Sequence, residues 1–189
     1  MGREIEYNGK IYYRNNAKWV DGDSMVVPMH LQHILNTLVF EEKDLMHMSY
    51  EQAKAEGDRA KRSESYSLAI KYYEQALREA NSLNGSSVLL PRISSCYRKI
   101  GKPQKVIELL CDMKQLYGEK IINEALLTSA AAAYCDMGDA ENALRCCKFA
   151  FRVLKSKTNE PSLELSNVFS RAKKMLDPDY SLDEMEYWR

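Results

Sequence analysis

The chain lacks an apolar run that approaches the roughly 18–20 residues of a membrane span, and it lacks net charge, since 27 Lys and Arg offset 27 Asp and Glu. The first absence excludes a spanning helix. The second excludes bulk nucleic-acid binding, which relies on a strongly basic face to displace counterions. No glycine-rich phosphate loop, no G-x-S-x-G, no H-E-x-x-H and no nucleophile–base constellation occurs, so no enzymatic activity is expected. His30 and His33 stand three apart on one helix pattern but have no further ligands beside them. Neither metal nor other cofactor is expected. Of five cysteines, Cys96, Cys111, Cys135, Cys146 and Cys147, none forms a C-x-x-C pair. The odd count argues against a disulfide framework and for reduced thiols packed as small hydrophobes. The opening Met1–Glu6 has no apolar core of the signal-peptide kind. Glu6 stands where a myristoylated Gly2 would want Ser or Thr. The expected location is cytoplasmic, with neither membrane nor nucleic acid as partner.

The 189 residues suffice for one domain with a substantial core. Residues 1–24 read as a β-hairpin or meander. Asn8-Gly9 between Glu4–Tyr7 and Lys10–Tyr13 supplies the two positive φ angles of a type I′ turn. A short third strand is expected at Lys18–Val20. Three such strands are marginal alone, so Tyr7, Tyr12, Tyr13 and Trp19 are expected to pack on a helix or on another chain. In residues 25–48, Pro28 opens a helix with Leu31, Ile34, Leu35, Leu38 and Val39 on one face. This reads as an N-terminal cap for the helices downstream.

From Ser49 the chain repeats itself. Ala69, Val106 and Ala143 recur every 37 residues, as do Tyr73, Leu110 and Cys147, and Ala76, Met113 and Ala150. Ala60, Tyr97 and Tyr134 keep the same spacing, and so do Gly57, Ser94 and Ala131. A copied unit of this length means a stack of helix hairpins. The pairs predicted are 49–62 with 65–81, 87–100 with 103–116, and 122–137 with 140–156, in repeats spanning 49–83, 87–120 and 122–157. Gly101 and Gly138 end first helices as C′ residues. Glu64 replaces glycine in the first repeat, which predicts a looser or differently built turn there. A closing helix is expected in residues 160–176. Residues 177–189 form an acidic, aromatic tail.

The repeats resemble the tetratricopeptide (TPR) family. The match is carried by Gly57-Asp58-Arg59-Ala60 with Ala69, Tyr73 and Ala76, and by Ala131, Tyr134, Gly138, Ala143 and Ala150. The period exceeds the family's roughly 34 residues by three. The resemblance implies an all-α fold: a right-handed α-solenoid of three helix-hairpin repeats with a C-terminal capping helix, here carrying a small N-terminal β-meander. It also implies a concave groove lined by the first helix of each pair. On this chain that lining is Lys54, Asp58, Lys61 and Arg62, then Arg92, Ser95, Arg98 and Lys99, then Thr128 and Ser129. The family's clamp for chaperone C-termini is not expected, because only Lys54 fits among the positions of Lys54, Asp58, Arg92, Ala125 and Ser129.

The functional expectation is a non-enzymatic interaction module, an adaptor, scaffold or regulator. It would bind a protein or peptide segment, an acidic one by the character of Arg92 and Arg98. The tail anchors Tyr180, Tyr187 and Trp188 are candidates for docking into the same or a neighbouring chain. The alternative is self-assembly into a homodimer or larger oligomer through the N-terminal hairpin and the tail.

Overall fold

The computed structural model describes residues 4–15, 18–38, 45, 47–155 and 161–181. Among them the chain is mostly helical, with one small antiparallel sheet. It divides into two compact units, residues 1–79 and 80–189.

In the first unit, β1 (Glu4–Tyr7), β2 (Lys10–Asn15) and β3 (Lys18–Val20) form a meander in the order β1-β2-β3. Asn8 (φ 52°) and Gly9 (φ 72°) turn the first hairpin, as Asn-Gly chemistry requires. The aromatics on the inner face find a helix of their own chain. Tyr12 and Trp19 are buried against Leu35 of α1 (Met29–Leu38), and Ile5, Tyr7 and Leu31 pack around them. Gln32 fastens this contact. Its side chain accepts from the Trp19 N–H at 2.7 Å and donates to the carbonyls of Trp19 and Val27 at 2.8 and 3.2 Å. The Trp19 indole N–H donates to Asn36 at 2.8 Å. A buried amide with its donors and acceptor engaged costs little and fixes the register of helix on sheet.

The first unit also holds a helix hairpin, α2 (Tyr50–Arg62) and α3 (Tyr66–Arg78). Ser49 and Gln52 form a reciprocal capping box at the start of α2.

The second unit holds two more hairpins, α4 (Leu83–Lys99) with α5 (Pro103–Tyr117), and α6 (Glu124–Asp136) with α7 (Ala140–Lys155). A 3₁₀ turn, Gly118–Ile121, joins them. The helix α8 (Leu163–Leu176) closes the unit against α6 and α7.

Boundaries keep the sequence period. The first helices end at Arg62, Lys99 and Asp136, and the second helices begin at Tyr66, Pro103 and Ala140, each 37 residues apart. The hairpin turns are built alike. The N–H of Ser65, Lys102 and Asp139 reaches back to the carbonyl of Ala60, Tyr97 and Tyr134, each at 2.9 Å. The N–H of Glu64, Gly101 and Gly138 reaches the carbonyl of Lys61, Arg98 and Cys135. These are Schellman closures. The looser turn expected at Glu64 does not occur: Glu64 adopts the left-handed conformation (φ 59°) that Gly101 and Gly138 adopt in theirs.

One boundary departs from expectation. The helix α4 begins at Leu83 rather than near 87, because Ser82 caps it through the Gly85 N–H, and the Asn84-Gly85 pair is absorbed into its first turn. Finally, α8 continues the register. Leu165, Val168 and Ala172 come 37 residues after Thr128, Ala131 and Cys135, and all six are buried.

Candidate functional site

The residues expected to line a groove lie on first helices, and the structure treats them unequally. In the first unit, Lys54 pairs with Asp58 one turn on, at 3.7 Å. Asp58 also accepts the Tyr73 hydroxyl at 2.7 Å, tying α2 to α3. Asp58 thus serves the hairpin. Lys61 is half-buried and Arg62 exposed on the last turn of α2.

In the second unit, Pro91 lies inside α4, where it removes a backbone donor. Beside it the Arg92 guanidinium donates to the Val88 carbonyl at 2.6 Å. Ser95 is half-buried and Lys99 exposed. Thr128 and Ser129 do not stand on an open face. Their exposures are 2% and 8%, and their hydroxyls donate to the Glu124 and Ala125 carbonyls at 2.9 and 2.8 Å. The reason is that α6 packs against α4, α5, α7 and α8, so nearly its whole circumference is covered.

What the first helices do bring together is a three-residue charge cluster. Asp136, at the end of α6, accepts from Arg98 of α4 at 2.5 Å and from Arg171 of α8 at 2.6 Å. A carboxylate at a helix C-terminus is opposed by the helix dipole, so this position needs compensation. Burial would raise the Asp136 pKa. The hydrogen bonds and charges of the two guanidiniums outweigh it and hold the carboxyl below its ordinary range. Two arginines on one aspartate leave the junction with a surplus positive charge. Ser162, which caps α8, donates to Glu124 at the other end of α6. The pair Ser162–Glu124 and the pair Arg171–Asp136 therefore clip α8 to α6 at both ends.

Sequence reasoning missed Asp136 as a partner of Arg98 and Arg171. A signal existed: the register that carries Arg62 and Lys99 carries an acid at its third copy.

Of the tail anchors, Tyr180 is buried against its own chain. It meets Phe169 edge-on at 6.5 Å, with the Lys173 ammonium 5.6 Å from its ring centre. Tyr187 and Trp188 lie outside the described residues. An open hollow of about 420 Å³ lies between the α6–α7 turn and the end of α8, with Gly138, Asp139, Met175 and Leu176 in its walls. Asp139 is occupied there by Asn142, whose side chain and backbone donate to it at 2.7 and 3.0 Å.

Among the described residues no three of His, Cys, Asp and Glu converge as a metal site would need, and no helix is long and apolar enough to cross a membrane. Cys96, Cys135 and Cys147 are buried and Cys146 half-buried, whereas Cys111 is exposed, against the expectation of a packed thiol. No family model, curated protein or solved structure matches the chain.

Proposed function

We propose that this protein is a TPR-like helical-repeat module that binds a segment of another protein along the first helices of its repeats and performs no chemistry of its own. The observation that carries the reading is the shared register of three hairpins: helix ends, helix starts and turn hydrogen bonds all recur at 37 residues. Repetition of like units suits recognition rather than a convergent catalytic centre. A solenoid with a right-handed twist and a concave ligand groove is part of the proposal.

The charge of the first helices favours an acidic segment. Arg62 and Lys99 project at equivalent positions on the last turns of α2 and α4, both exposed. The Arg98–Asp136–Arg171 junction adds a surplus cation. Carboxylates on a ligand would find guanidinium and ammonium partners there. The rival reading, self-assembly through the N-terminal hairpin and the tail, is weakened by the use of Tyr12, Trp19 and Tyr180 inside the chain.

The test compares preys captured by the wild type and by an Arg62→Glu, Lys99→Glu variant. These positions are chosen because neither forms an ion pair that the fold uses among the described residues. Circular dichroism confirms that the variant is folded. Loss of one defined prey, restored when that prey's acidic segment is recoded with Lys, supports the proposal. Identical prey lists, or a concentration-independent homodimer as the sole assembly, would overturn it.

A further inference from the structure

Among the described residues, the N-terminal sheet ends on β1 as an edge strand. The strand β1 pairs only with β2 among the described residues, in the register Glu4↔Tyr13, Ile5↔Tyr12, Glu6↔Ile11 and Tyr7↔Lys10. Tyr7 and Lys10 flank a two-residue turn, so Tyr7 and Ile5 spend their backbone groups on β2. The alternation of an antiparallel ladder then aims the N–H and C=O of Glu4 and Glu6 away from β2. The same two residues place their side chains on the outer face, exposed, while Ile5 and Tyr7 lie half-exposed on the inner face beside Tyr12, Trp19 and Leu35. The edge therefore offers backbone pairing at Glu4 and Glu6, two carboxylates on one side, and an unfinished apolar margin on the other.

We propose that this edge receives an extended segment of another protein carrying basic residues at alternate positions with an apolar residue between them. Charge decides the occupant. A basic residue directly across from Glu4 and another across from Glu6 form favourable cross-strand pairs. The intervening side chain falls opposite Ile5 and extends the inner apolar cluster. A second copy of the chain does not fit. Antiparallel pairing of β1 with its own copy, with the faces matched and Ile5 opposite Ile5, sets Glu4 against Glu6 twice, and sliding the register by two residues either way sets Glu4 against Glu4 or Glu6 against Glu6. Like charges directly opposed are unfavourable. The acidic edge thus refuses itself, the usual protection of an edge strand, while remaining complementary to a basic guest. Strand addition of this kind draws affinity from main-chain hydrogen bonds and specificity from alternate side chains. The surface belongs to the sheet.

The experiment titrates the isotope-labelled full chain with a capped peptide of alternating Lys and Val, alongside a block peptide of the same composition and an alternating Glu and Val peptide. Amide shifts concentrated at residues 4–7, with binding by the alternating basic peptide at least about tenfold tighter than by the block peptide, are expected. A Glu4→Lys, Glu6→Lys variant should reverse the preference toward the Glu–Val peptide. The substituted side chains are exposed, and unchanged Trp19 fluorescence verifies that the sheet persists. Equal binding of the block peptide, shifts located elsewhere, an unaltered preference in the variant, or a dimer formed through β1 would each overturn the proposal.

Discussion

Tyr73 lies against Gly57 so closely that a methyl group at Gly57 would stand 2.6 Å from two of its ring carbons. The ring cannot yield. It is fully buried, and its hydroxyl is held by Asp58 at 2.7 Å. Glycine inside a helix normally costs about 1 kcal/mol relative to alanine, so Gly57→Ala would stabilise an isolated α2. In this hairpin the sign reverses. The substitution is expected to destabilise by about 1–3 kcal/mol, the range for overpacking a tight core. The equivalent pairs in the other repeats, Ser94 with Leu110 and Ala131 with Cys147, match a larger first residue with a smaller second one. A Gly57→Ala, Tyr73→Leu double variant should therefore lose no more stability than Tyr73→Leu alone in urea unfolding. Additive losses would show that the two residues are not coupled.

Glu64 occupies the turn position that glycine holds in the other two hairpins, with the same positive φ. A side chain in that region costs about 1 kcal/mol that glycine avoids. Glu64→Gly is expected to raise stability by about 0.5–1 kcal/mol despite the added freedom of the unfolded chain. Gly101→Ala and Gly138→Ala are expected to lower it by a similar amount. A fall in the thermal midpoint for Glu64→Gly would mean that the Glu64 side chain contributes more than its backbone strain costs.

The repeat period announced most helix boundaries, because helix caps and close-packing small residues recur at fixed positions and those are local signals. Ser49 and Gln52, Gly101 and Gly138, and the Ala69, Val106 and Ala143 series are of this kind. The extra turn of α4 was hidden, since Asn84-Gly85 has the composition of a break and only the Ser82 cap overrides it. The lining residues were harder. The repeat resemblance puts Thr128 and Ser129 on a groove-lining face, yet α6 carries Ala130, Ala131, Ala132 and Ala133 around its whole circumference. A helix apolar on every side is a buried helix, and that pattern was the better guide. The junction of Arg98, Asp136 and Arg171 depends on how three helices meet, which no local spacing encodes.

The cysteines differ in chemistry as they differ in depth. Burial pushes the Cys146 thiol up to about 11 and Cys147 up to about 12. The thiolate is the reactive form, so both should resist alkylation at mildly alkaline pH. Cys111 is exposed on α5. A maleimide titration of the native protein is expected to label Cys111 first, with Cys146 and Cys147 labelled at the rate of unfolding. Fast double labelling at the vicinal pair would contradict the packing of α7.

Asp136 gives the second unit a dependence on acid whose sign is set by its carboxyl. Its folded pKa is lowered below the ordinary 3.8 by Arg98 and Arg171, although burial works the other way. The unfolded chain therefore takes up the proton first as pH falls. The contribution of Asp136 is present in full above the ordinary carboxylate value and is lost as pH drops through the lower folded value. Its side chain is 23% exposed and those of Arg98 and Arg171 are 26% and 47% exposed, so water and salt screen the pairs. Asp136→Asn is expected to cost about 1 kcal/mol at neutral pH, nearer the value of a screened pair than of a buried one. The loss should shrink in high salt. It should also shrink below pH 3.8, where the unfolded chain's carboxyl takes up its proton and the folded one follows at lower pH. Arg171→Ala alone should release the end of α8 before the rest of the unit, seen as faster amide exchange in Leu163–Leu176 with α6 still protected. Uniform exchange across both helices would mean that α8 unfolds only with the whole unit, and that the two clips at Ser162 and Arg171 do not set its stability.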